Sequence, residues 1–280
     1  MKNDLARNPT LILAPGRAAR HYWLDLWNYR ELFAILAWRD VSVQYKQTLI
    51  GVVWAVIRPA LTMAIFAFVF GRVAGIPTEG GVPYPLLVMA GMLPWFLVST
   101  IVTNGSTSVI ASSNLISKVY FPRLIVPVAS SMVALVDFVL SLGLLFVMMI
   151  WFRFAPDWHL LFLPLFIVMA LLAGLGPALI MASLNVSYRD FRFVIPFAVQ
   201  FGLYISPIGF SSTIIPEKWR LVYSLNPVVG VVDGFRWSLL GGATHIAPDT
   251  FALSAGMIAL LLFLGVTVFR KTESSFADLV

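Results

Sequence analysis

The chain has 280 residues, of which 60% are hydrophobic and 11% charged, with a mean hydropathy of +0.90. A soluble domain averages about 45–50% apolar and about 25% charged residues, so the composition excludes a soluble globular enzyme and specifies an integral membrane protein. The net charge of +6 is accounted for by the bias of basic residues toward cytoplasmic loops, and nucleic acid is not expected as a partner.

In chain order, residues 1–22 read as a cytoplasmic tail. They have no uninterrupted apolar core followed by a small-residue cleavage site, so no signal peptide is expected. Residues 23–47, WLDLWNYRELFAILAWRDVSVQYKQ, are helical and aromatic but interrupted by Asp25, Arg30, Glu31, Arg39 and Asp40. Leu32, Leu36 and Val43 share a stripe with Trp38 across from it, an imperfect amphipathic pattern that suits a helix lying in the membrane interface. Hydrophobic runs then fall at roughly 51–73, 84–104, 124–151, 160–186, 194–210 and 251–269, six spans in all. A span needs about 20 predominantly apolar residues; the fifth run is short and reads as a helix that ends inside the membrane.

The third run holds Asp137, whose charge costs about 2.5–3.5 kcal/mol to insert at mid-span. A proton or ion relay is one reading of it. Pairing with a backbone donor or a neighbouring basic residue, or protonation, is the other, and the lack of a second intramembrane ionisable group favours that one. Gly174, Ala178 and Ala182 in the fourth run space small residues for close helix approach. Aromatic residues such as Phe66, Phe70, Phe197, Phe201 and Tyr204 serve lipid contact, core packing or the stacking of sugar rings.

Between the fifth and sixth runs, residues 210–242 read FSSTIIPEKWRLVYSLNPVVGVVDGFRWSLLGG. This stretch is too apolar for an ordinary loop and too broken for a span, with two short helical patterns on either side of Asn226 and Pro227. Such a segment sits at membrane depth only when buried in protein or lining a water-filled cavity, which predicts a re-entrant hairpin. With both termini inside, all but five of the 19 Lys and Arg residues fall on the cytoplasmic side or its flanks; Arg72, Arg153, Lys218, Arg220 and Arg236 fall outside. That division favours this orientation.

Several kinds of chemistry are missing from the chain. It contains no GxxxxGK[ST], HExxH or GxSxG; His21, His159 and His245 are widely separated, and cysteine is absent. A self-contained enzyme, a bound metal and a cofactor are therefore not expected. Transport then requires an ion gradient or a partner ATPase. A gradient-driven carrier would show more intramembrane charge and an internal repeat, and the chain has neither.

Several spaced segments together resemble one family: WRDVSVQYKQTLIGVVWAVIRPALT from Trp38, NLISKVYFPRLIVPVASSMVALVDF from Asn114, NVSYRDFRFVIPF from Asn185, SP at Ser206, LNP at Leu225, FRW at Phe235 and the tail FRKTESSFADLV. They resemble the permease subunit of type-2 ABC exporters for cell-surface polysaccharide, the O-antigen and teichoic-acid transporters, from about Asn28 to Val280. The resemblance implies an all-α integral membrane protein of the inner membrane, one permease domain over 1–280, paired with a second copy and two ATPase subunits that bind ATP and Mg. The implied cargo is a polysaccharide on undecaprenyl pyrophosphate; a teichoic acid, capsule, lipid or drug exporter of the same architecture is the alternative. It implies ATPase coupling by the 23–47 helix and the cytoplasmic loops (Arg39, Asp40, Tyr45, Asn114, Tyr188, Arg189 and Asp190). It implies an outer gate in the hairpin, including Pro216, Trp219, Asn226, Pro227 and Arg236. The anionic head of such a carrier would be met by basic residues near the cytoplasmic leaflet, for which Arg58, Arg123, Lys46 and Lys118 are candidates. The glycan would pass aromatic residues such as Phe66, Phe70, Phe197, Phe201 and Tyr204.

Overall fold

A computed structural model describes residues 18–46, 51–78, 80–188, 190–241 and 246–276. Residues 1–17 of the tail, the coupling candidate Arg189 and Gly242 at the end of the hairpin lie outside the described residues. Among the described residues all regular structure is helical.

Two helices open the chain, α1 (Ala18–Asn28) and α2 (Arg30–Lys46). They are followed by α3 (Gly51–Phe66), whose helix continues in π form over Ala67–Val73. Next come α4 (Tyr84–Ala111), the single turn α5 (Ser113–Ile116), α6 (Ile125–Trp151), α7 (Leu163–Ser187) and α8 (Phe191–Ile205). The chain closes with α9 (Glu217–Tyr223), α10 (Pro227–Leu239) and α11 (Pro248–Thr272). Five of these elements are long and apolar enough to cross a membrane: Val53–Val73, Tyr84–Ala111, Ile125–Trp151, Trp158–Ser187 and Pro248–Ser275. The shorter apolar α8 has 15 residues. The 23–47 helix of the sequence is thus two helices meeting at Tyr29. The fifth run stops at Ile205 because Pro207 has no N–H to donate and disfavours helical geometry at Ser206.

The bundle is organised around α4, which packs against α3, α6, α7, α8 and α10. Burial covers 78% of its most apolar window, against 6% in α3. Small residues make the closest contacts. A Cβ at Gly174 would sit 2.9 Å from Ile101 on α4, and one at Gly265 of α11 would sit 2.4 Å from the Gly176 carbonyl. Two faces of α7 therefore approach two neighbours at near-backbone distance, as small residues allow in membrane bundles.

Candidate functional site

The chain between α8 and α9 is the irregular part of the bundle core. Ser206 to Gly209 are buried although they follow the last turn of α8, so their carbonyls have no helical partner and must find others. The Ile208 N–H closes on the Ser206 carbonyl at 2.8 Å, and side chains supply several others from Ile205 to Phe210. Tyr223 donates its hydroxyl to the Ile205 carbonyl (2.7 Å), and Tyr84 donates to that of Gly209. Arg236 donates Nη2 to Ile208 (2.8 Å), Nη1 to Phe210 (2.9 Å) and Nε to Leu87 of α4 (3.3 Å). Further along, Arg220 holds the carbonyls of Ile215 (3.0 Å) and Thr213 (3.2 Å).

Arg236 reaches this place because α10 is inserted into the bundle. The helix starts on a cap: the Asn226 side chain accepts the Val228 N–H at 3.0 Å, and Pro227, with no N–H to lose, occupies the first turn. The other end of the Asn226 amide donates to Ser206 Oγ at 3.1 Å, fixing the helix start to the broken segment. From there α10 packs on α4, α7 and α11, and Arg236 is 1% exposed. Gly91 makes room on α4, since a Cβ there would lie 2.8 Å from Arg236 Nη2. The preceding helix α9 is different. Pro216, Glu217, Lys218, Trp219, Leu221 and Val222 are all exposed. The two halves of the 210–242 stretch therefore have opposite environments.

A second polar centre joins α2 to α6. Tyr45 donates its hydroxyl to Asp137 Oδ1, and Gln44 donates Nε2 to Oδ2 at 3.4 Å. Asp137 stands twelve residues into α6, about 18 Å along its axis at 1.5 Å per residue. Burial first, then the bond to Asp137, pushes the Tyr45 phenol well above its ordinary value, so it stays a donor. The expected partners are a backbone donor or a basic residue; those in place are a phenol and an amide of α2.

The four candidate basic residues stand on different elements. Arg58 is exposed on α3, where its charge acts on Asp137, and Lys46 is exposed at the end of α2. Arg123 stands two residues before α6, and Lys118 is exposed in the turn after α5. Asp137 and Arg123 are fourteen residues apart, about 20 Å along one helix direction. Arg39 and Asp40 pair with each other at 2.8 Å, beside Asn104 and Thr107 of α4. Asn114, Tyr188 and Asp190 are exposed at α5 and at the α7–α8 turn. Among the aromatic candidates, Phe66 and Phe70 touch with ring centres 5.3 Å apart and tilted by 44°, and face Gly209 of the broken segment. Phe197 and Phe201 stack in parallel at 6.0 Å on α8 and, with Tyr204, are exposed.

Sequence reasoning missed Tyr84, Tyr223 and Asn185. Asn185 is 2% exposed and donates to the Ser106 carbonyl at 3.0 Å, fastening α7 to α4. A lone amide inside an apolar run was the available signal for it. For the two tyrosines there was none, because their partners are backbone carbonyls 125 and 18 residues away.

Comparison with known proteins places these features in a lineage. A family model described as ABC-2 type transporter matches residues 31–240. The chain is similar to the O-antigen export system permease protein of Myxococcus xanthus, 28% identical over 260 residues, covering 91% of this chain and 97% of that protein. It is 24% identical over 251 residues to the protein of that same description from Klebsiella pneumoniae, covering 89% and 95%. The polysialic acid transport protein of Escherichia coli is 23% identical over 243 residues, covering 85% and 92%.

Proposed function

Because the chain belongs to the ABC-2 type transporter family, whose model matches residues 31–240, we propose that it is the channel-forming permease of an exporter for lipid-linked polysaccharide of the O-antigen kind. The observation that carries this reading is the likeness, over nearly the full length of both chains, to export permeases of that name. The chain works as a pair, each copy coupled to a separate ATPase subunit that binds ATP and Mg and supplies the energy. The cargo is a glycan on a pyrophosphate lipid, moved outward through the inner membrane. Likeness to a polysialic acid transport protein supports a capsule-type glycan as the second reading.

In this reading the permease crosses the membrane six times with both termini in the cytoplasm, α8 serving as the short fifth crossing. α1 and α2 form the cytoplasmic interface element, and α2 carries motion from the ATPase to mid-membrane through Tyr45 and Asp137. Arg39, Asp40, Asn114, Tyr188, Arg189 and Asp190 belong to the ATPase-facing side. The segment from Ser206 to Leu239 is the re-entrant outer gate. Its support is the run of carbonyls from Ile205 to Phe210 satisfied in part by Tyr84, Tyr223 and Arg236, which is what irregular backbone at membrane depth requires. Phe66, Phe70, Phe197, Phe201 and Tyr204 line the passage, where flat apolar faces let sugar rings slide without a deep binding minimum. Exposed Arg58, Lys46 and Lys118 meet the pyrophosphate; Arg123, tied to Glu273, contributes less.

Deleting the gene tests the assignment. The expected result is loss of one surface polysaccharide and accumulation of its lipid-linked form on the cytoplasmic face, both reversed by the intact gene. An unchanged surface glycan profile with no such accumulation would refute the polysaccharide reading and leave the family membership standing.

A further inference from the structure

A cavity of about 300 Å³ opens where α6 begins and α11 ends, lined in part by Tyr22, Asp25, Phe121, Arg123, Arg270 and Glu273. These are the ends of two helices long enough to cross a membrane, the depth at which lipid heads and basic side chains meet. Arg123 is held by its backbone N–H on the Glu273 carboxylate (2.8 Å) and by its guanidinium on the Glu273 carbonyl. Arg270 lies over the Tyr22 ring, 4.6 Å from its centre. A guanidinium carries five N–H donors, so neither arginine is saturated by these contacts.

Tyr22 adds a third donor. It is 8% exposed, and its hydroxyl lies against the Glu273 carboxylate and the Leu124 backbone. Burial, reinforced by the Glu273 charge, pushes this phenol far above its ordinary value, so it stays protonated and available to donate. A phenol hydroxyl rotates and both donates and accepts, so it can turn toward an acceptor in the cavity.

The charge balance selects the chemical class. Two guanidiniums face two carboxylates, Asp25 and Glu273, so the lining is neutral overall. A pyrophosphate would press several negative charges against those carboxylates, and a simple phosphate would leave Asp25 unanswered. A head carrying one phosphate and one primary ammonium answers both signs. Buried Phe121 and Pro122 offer an apolar wall to the glycerol end. We propose that this cavity is a binding site for an aminophospholipid head, a phosphoethanolamine, with its phosphate on Arg123, Arg270 and the Tyr22 hydroxyl and its ammonium toward Asp25 and Glu273.

The test uses the full chain purified in detergent and mixed in turn with short-chain phosphatidylethanolamine, phosphatidylglycerol, phosphatidylcholine, inorganic phosphate and inorganic pyrophosphate. Retention is read by native mass spectrometry and thermal stabilisation. Phosphatidylethanolamine is expected to bind about tenfold or more tightly than each of the others, a difference set by whether both charges find partners. Tyr22→Phe and Arg270→Gln should each weaken it by about tenfold. Asp25→Asn should abolish the preference for phosphatidylethanolamine over phosphatidylglycerol; it is the deciding variant if Arg270→Gln does not fold. Pyrophosphate binding as tightly as phosphatidylethanolamine, equal retention of all three lipids, or an unchanged lipid preference in Asp25→Asn overturns the proposal. The gene-deletion phenotype is a separate readout, so this site and the polysaccharide reading stand or fall apart.

Discussion

A guanidinium enclosed by the carbonyls of Leu87, Ile208 and Phe210 acts as a substitute for the helix that Pro207 interrupts. The planar fork of arginine can serve divergent acceptors at once, which a single ammonium point cannot do as well. Arg236→Gln leaves at least two carbonyls unsatisfied at about 1–3 kcal/mol each in a fully apolar surrounding. Partners available in the unfolded, membrane-inserted reference state reduce that loss, so the expected destabilisation is about 2 kcal/mol. Arg236→Lys should lose less. Unfolding in mixed micelles measures both, and equal stability of Arg236→Gln and the parent would show that the guanidinium is dispensable. Asp137 teaches a related lesson. An isolated acid in a span reads as a relay candidate, yet its oxygens are engaged by Tyr45 and Gln44, donors from a helix that the sequence places at the surface.

At the scale of elements, α9 and α10 separate what the sequence shows as one broken apolar stretch. Both are short, both have a proline at their start (Pro216 just before α9, Pro227 as the first residue of α10), and both carry charge. α9 is exposed, whereas Val231, Val232 and Phe235 of α10 are 0% exposed. The difference arises because α10 finds partners on α4, α7 and α11, and Gly234 admits Phe166 where a Cβ would lie 2.2 Å from its ring. The parent has no cysteine, so single cysteines report cleanly. Cysteines at Trp219 and Leu221 should react with a membrane-impermeant maleimide added from outside, while those at Val231 and Phe235 should be protected until the protein is unfolded. Uniform labelling across the stretch would mean a plain surface loop and would remove the re-entrant gate.

Across the whole molecule, burial is uneven: α4 is enclosed, while α3 and α8 show most of their apolar surface. On α8 the exposed stripe is aromatic, with Phe193, Phe197, Phe201 and Tyr204 recurring at helical spacing. A second copy facing this side would enclose the stripe in a shared passage. Cysteine at Tyr204 should then cross-link to its counterpart in native membranes under mild oxidation, giving a dimer band that reducing agent removes. A cysteine at Leu165 of α7, also exposed, should stay monomeric; equal cross-linking at both sites would place the pairing face elsewhere. The sequence by itself determined the membrane class, the long apolar helices and the family, because hydropathy and ordered motifs are carried by neighbouring residues and survive without a fold. It also marked the 206–242 break, since proline and asparagine act locally on the backbone. Only the tertiary structure decided that Arg236 is buried, that Tyr84 and Tyr223 complete the broken segment, and that Asp137 of α6 pairs with α2. These are contacts between residues far apart in the chain, and their partners are largely backbone carbonyls, which every residue possesses and no sequence pattern distinguishes.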